Sequence, residues 1–139
     1  MRAYILGGLI LCGIAAGTAS MAAHHSFTAE FDGNKKVTLT GIVTKVEWTN
    51  PHVWFYINVK DEKTGEVTNW GAEMGPPHGL QRRGWRRETL KIGDEVTVAG
   101  SLAKNGSKRM NASTVTMTKT GGRQGETLDA ASSQGGNVD

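Results

Sequence analysis

A chain of 139 residues with 16 basic and 13 acidic side chains, net charge +3, has room for one domain and too mild a charge to select a polyanion by itself. The single cysteine, Cys12, excludes an internal disulfide, so any core must hold by packing.

Met1-Arg2 is followed by the uncharged run "AYILGGLILCGIAAG" (3–17) and then "TASMAAHH". One early positive charge, an apolar centre and a small-residue region are the three parts of a cleaved secretory signal. The apolar centre gives way to Gly, Thr and Ser too early for a spanning helix of about 20 residues, so no stable membrane insertion is expected after cleavage. Leu11 before Cys12 speaks against a lipoprotein. Ser20 and Ala22 favour a cut after Ala22, whereas a cut after Ala23 would put the bulky Met21 at the third-last position. The expected mature chain is periplasmic, has no thiol, and carries net charge +2 because the leader holds Arg2 and no acidic residue.

Short strands follow. In "VTLTGIVTKVEW", Val37 and Leu39 share one face, and the phase changes after Gly41 so that Ile42, Val46 and Trp48 carry the apolar side. A phase change at glycine predicts a bulge or bend. Beyond the breaker "TNPH", "VWFYINV" places Val53, Phe55, Ile57 and Val59 inward, with Trp54, Tyr56 and Asn58 outward. "KDEKTGE" is a turn, and "VTNWGAEM" returns as a third strand with Trp70, Ala72 and Met74 on one face. The stretch "GPPHGLQRRGWRRETLKIGD" predicts short helical turns anchored by Leu80, Trp85 and Leu90. "EVTVAGSLA" and "MNASTVTMT" are the fourth and fifth strands, joined by a hairpin tip at Asn105-Gly106. After Thr120, only Leu128 and Val138 are larger apolar residues, which predicts a disordered tail.

The expected organisation is a signal over 1–22, an N-terminal segment over 23–36, a β-domain over 37–119 and a tail over 120–139. Five strands, a bent first strand and one short helical segment between strands 3 and 4 predict an all-β, small five-stranded OB-like barrel.

With "AHHSF", "EFD", "EWTNPHVWFY", "TNWGAEMGPP", "RRGWRRETLKIGDEVTVAG" and "NASTVT" in view, the chain resembles a family of small exported bacterial proteins known as domain of unknown function 6152. The likeness runs from Ala23 to about Thr118, and it implies export and a small β-barrel without implying an activity.

Four histidines are candidate metal ligands: His24, His25, His52 and His78. With Ala23 first, the terminal amine, two backbone nitrogens and the His25 imidazole can wrap one Cu(II) or Ni(II) in a tetragonal nitrogen site. With His24 first, the amine and its own imidazole form an open chelate that needs a further ligand. The alternative is that both are solvated terminal residues. His52 and His78, each following a proline, lie in loops expected to flank one face, where they either converge or serve as an ordinary turn residue and an exposed one. Of the two ions, copper is the cofactor expected.

Trp48, Trp54 and Tyr56 are candidate ligand-binding residues, because outward aromatics on an OB strand stack flat ligands. Cover by Phe27 and Phe31 of "HSFTAEF" is the competing use of those rings. Arg82, Arg83, Arg86 and Arg87 surround Trp85 and are candidates for anionic groups, or else a solvated basic face.

G-x-S-x-G, H-E-x-x-H and phosphate-loop patterns are all missing, no catalytic residue is assigned, and the chain reads as not an enzyme. The leading expectation is an exported binding module with Cu(II) at its processed N-terminus. The alternative is an envelope accessory subunit docking through its aromatic face and Arg cluster, with a copper redox enzyme using His24 a distant third. The expected partner is an envelope protein or a small ligand, and nucleic acid is set aside because an exported chain of net charge +2 has little access to it.

Overall fold

The computed structural model describes residues 27–119 and 123–132. Six strands form one sheet: β1 (Phe31–Glu47), β2 (Trp54–Lys60), β3 (Val67–Glu73), β4 (Glu95–Ala103), β5 (Arg109–Lys119) and β6 (Thr127–Asp129). One helix, α1 (Pro77–Arg82), lies between β3 and β4. The order is β3-β2-β1-β4-β5-β6, and a β3–β5 pairing joins the first five strands into a ring. That pairing is parallel, Gly71–Glu73 against Arg109–Asn111, while the other pairs are antiparallel. Ring order 1-2-3-5-4 with the helix between the third and fourth strands is an OB-like barrel, as expected.

β1 is long enough to serve both sides of the ring, pairing β4 over Lys36–Ile42 and β2 over Ile42–Glu47. Its phase change comes later than Gly41. Val43 is buried and Ile42 is 41% exposed, and the register slips between Val43 and Lys45. Thr44 therefore occupies the bulge, where its Oγ1 donates to the Tyr56 carbonyl at 3.3 Å. Gly41 has a different task. A Cβ there would lie 2.5 Å from the Asn58 carbonyl oxygen, so glycine lets β1 and β2 cross closely at the curl.

The alternation in β2 places Val53, Phe55 and Ile57 in the core, with Ala72 and Met74 opposite and Val96, Val98, Met110, Val115 and Met117 completing it. Burial of each valine, isoleucine, phenylalanine or methionine among them contributes about 1.5–3 kcal/mol. The β2–β3 turn is fixed by Asp61, whose Oδ1 accepts from the backbone N–H of Lys63 and of Thr64 at 2.8 Å. These bonds hold the Asp61 carboxyl below its ordinary value. α1 starts with proline at its first turn, and Leu80, Trp85 and Leu90 plug one end of the barrel.

Two boundaries differ from expectation. Strand β1 begins at Phe31, inside the expected N-terminal segment, after a helical turn over 27–30. Residues 123–132, expected in a disordered tail, form a turn and β6 along the free edge of β5. The Trp85 indole Nε1 donates to the Asp129 carbonyl at 2.8 Å, Leu128 and Ala130 are buried, and the Gly75 N–H donates to the Ala130 carbonyl at 2.8 Å. An open strand edge and an unfilled indole donor hold a segment that has too few apolar residues to order alone.

Candidate functional site

The outer face of β2 carries Trp54 and Tyr56, both half-buried. Across the hairpin Tyr56 pairs with Gly71. A Cβ at Gly71 would lie 3.2 Å from Tyr56 Cε1 and 3.6 Å from Trp54 Cζ3, so both rings lie down on the sheet over the glycine. Cations bracket them. The Arg109 guanidinium sits 4.4 Å from the Trp54 ring centre, and the Lys45 ammonium sits 5.4 Å from the Tyr56 ring centre. Lys45 also pairs with Glu47, whose Oε2 accepts from Tyr56 Oη at 3.3 Å. The pairing raises the Lys45 pKa and lowers that of Glu47. A third cation, Lys108, the residue just before β5, lies 5.2 Å from the Trp70 ring centre.

Beside this ledge, His52 Nδ1 pairs with Glu73 Oε1. Glu73 is 6% exposed. Burial raises its pKa, the adjacent His52 opposes that shift, Glu30 adds to it and Arg109 also opposes it. A buried carboxylate with a histidine partner and two more charges around it is an electrostatic knot at the mouth of the β1–β2 loop.

The candidate residues divide into separate groups. Trp54 and Tyr56 form one surface, and the contacts upon them come from Arg109 and Lys45. Phe27 and Phe31, expected as a cover, are themselves buried and stack on each other at 5.8 Å between ring centres. Trp48 instead packs against the core, and its carbonyl accepts from Arg87 at 3.3 Å. Arg83 pairs with Asp129 at 2.9 Å, and Arg86 donates to the Trp85 carbonyl at 2.9 Å, so the Arg cluster braces the end of the barrel around Trp85. Arg82 is exposed. His52 faces Glu73, His78 is exposed on α1, and no group of three or more His, Cys, Asp or Glu side chains is placed to hold a metal among the described residues. His24 and His25 lie outside those residues.

Arg109, Lys45 and Gly71 escaped the sequence reading. Gly71 was within reach, because the turn at Asp61–Glu66 sets Lys60 opposite Val67 and hence Tyr56 opposite glycine. Arg109 was not, since its place on Trp54 depends on the long-range β3–β5 pairing.

Residues 12–112 match a family of unknown function (DUF6152). The chain belongs to that family. No curated protein matches it. Among solved structures, the family's fold in this chain is similar to a mitochondrial single-stranded DNA binding protein from S. cerevisiae, Rim1, with TM-score 0.50 and 12% identity over 63% of this chain and 96% of that one. The likeness is one of fold. It overturns the expectation that set nucleic acid aside: a barrel of this kind carries a single-stranded DNA binding protein, and local cations on one face matter more than a small net charge.

Proposed function

We propose that the chain is an OB-like binding module that takes single-stranded nucleic acid on the outer face of β2 and β3. The observation that carries this reading is the flat pair Trp54 and Tyr56 over Gly71, with Arg109 and Lys45 against the rings. The Arg109 guanidinium over Trp54 extends the ledge as a second flat plane on which any base can stack, and its edge, with Lys45, meets the phosphates between bases. The test is titration of the chain with a short oligothymidylate, followed by tryptophan quenching at low salt. Base stacking on an aromatic side chain is worth about 1–3 kcal/mol, so Trp54→Ala should weaken binding roughly 5- to 150-fold. Tyr56→Ala should act in the same direction. Absence of binding by the unaltered chain at low salt, or an unchanged Kd for Trp54→Ala, would overturn the reading.

A second reading rests on the sequence "SMAAHHSF". It makes the chain an exported, periplasmic protein whose processed N-terminus, Ala23-His24-His25, wraps Cu(II) through the terminal amine, two backbone nitrogens and the His25 imidazole. Mass measurement of the exported, untagged chain should give Ala23 as the first residue, and His25→Ala should abolish the tetragonal copper spectrum. A different first residue, or a spectrum that survives the substitution, would remove this reading.

A further inference from the structure

Arg109 belongs to two places at once. One side of its guanidinium covers the Trp54 ring, and the same residue lines a cleft of about 290 Å³ between the 27–31 turn and the β4–β5 hairpin. Lys104, Asn105, Ser107, Glu30 and Phe31 line the rest of what concerns recognition. The hairpin and the turn are tied together: the Lys104 N–H donates to the Glu30 carbonyl at 2.9 Å, and Lys104 Nζ donates to the Thr28 carbonyl. An ammonium has three N–H donors, and this bond uses one. Asn105 Oδ1 accepts from the Ser107 N–H at 3.0 Å, fixing the hairpin tip. Ser107 Oγ is buried and has no hydrogen-bond partner among the described residues.

The cleft therefore has two cations against one carboxylate, a polar hairpin on one wall, and in Arg109 a residue shared with the aromatic ledge. We infer that this cleft is the phosphate subsite of the aromatic surface: Arg109 and Lys104 each take one backbone phosphate of a single strand whose base stacks on the outer face of the Arg109 guanidinium, above Trp54. The inference rests on the nucleic-acid reading and adds to it the direction of the strand, from the ledge over β2 and β3 into the gap beneath the β4–β5 hairpin. Arg109 suits the junction because a planar guanidinium can keep one face on a ring while its edge donates to a phosphate. Glu30 opposes the phosphate and sets an upper limit on affinity.

Salt dependence separates this subsite from the ledge. Each phosphate neutralised on a single strand contributes about 0.7 to the slope of log K against log salt. The probe is an oligothymidylate titrated at several salt concentrations. Lys104→Gln should lower the slope by about 0.7, and Lys104→Gln with Arg109→Gln by about 1.4. Trp54→Ala should weaken binding while leaving the slope as it was. Lys91→Gln, an exposed lysine just before β4, should leave the slope unchanged. Glu30→Gln should tighten binding roughly two- to fivefold by removing a like charge. If the unaltered chain does not bind the oligonucleotide, the nucleic-acid reading fails and takes this inference with it. If binding depends on Trp54 but the slope ignores Lys104 and Arg109, or falls equally for Lys91→Gln, the ledge stands and the cleft is not its phosphate subsite. Thermal unfolding of each variant, expected within a few degrees of the unaltered chain, shows that a lost slope is not a lost fold.

Discussion

Glu73 is the buried carboxylate among the described residues, and its surroundings give the chain a specific pH dependence. Burial raises its pKa above the ordinary 4.5, and the charges of His52 and Arg109 offset this only in part. An acid that holds its proton more tightly folded than unfolded contributes stability below its unfolded pKa. That contribution is lost as pH rises through the folded value. Wild-type stability should therefore fall relative to Glu73→Gln as pH rises above 4.5, the glutamine keeping an acceptor for His52 without the buried charge. Urea unfolding of both chains across the acid-to-neutral range measures this, and parallel stability curves would show that Glu73 titrates as a solvated carboxyl. The sequence left open whether His52 and His78 converge, and Glu73 is the partner that His52 takes instead. Only the pair with His52 forms, because His78 is carried out to solvent on α1.

At the scale of elements, strands with strict alternation were legible and those decided by a neighbour were not. Phe55 and Ile57 alternate with Trp54 and Tyr56 and could face only one way once the core was assigned. β1 was harder. Ile42 is apolar and Gly41 is a familiar bend marker, which together drew the phase change two or three residues early. The actual bulge at Thr44 has no marker, since threonine is at home on either face of a strand. Gly41 is there because a strand crosses it, a fact set by β2 and invisible in β1 alone. The same reasoning covers β6. Leu128 is a lone apolar residue in a polar stretch, and what buries it is the edge of β5, while what holds its neighbour Asp129 is the indole N–H of Trp85. Composition measures what a segment can bury by itself, so it underestimates a segment that completes a surface made elsewhere. The candidate site divides likewise: its rings came from alternation within β2, and its cations came from β1 and β5.

Over the whole molecule, the ring is closed by antiparallel ladders everywhere except at β3–β5, where pairing spans only Gly71–Glu73 and Arg109–Asn111. That seam also carries the Gly71 N–H to Lys108 carbonyl bond at 3.0 Å, and the cation–ring contacts of Arg109 with Trp54 and Lys108 with Trp70 lie across it. Opening it would leave β1 still paired with both β2 and β4, so the barrel would become a curved sheet without losing its longer ladders. Sub-global opening takes the route that breaks the fewest bonds. Against this, Ala72 and Met110 meet across the seam as buried core residues, so opening is a cooperative event and not fraying. Native-state hydrogen exchange should therefore show the Gly71 amide, which bonds across the seam, exchanging at least about tenfold faster than those of Thr38–Thr40 and Thr97–Ala99 in the β1–β4 ladder. A ligand that bridges Trp54 and Arg109 spans the same seam and binds only the closed ring. Saturating oligothymidylate should slow exchange at the seam first, with little change in the β1–β4 ladder. Seam amides as protected as the ladder in the free chain would mean that the ring opens only by global unfolding, and the binding surface would then be as rigid as the core beneath it.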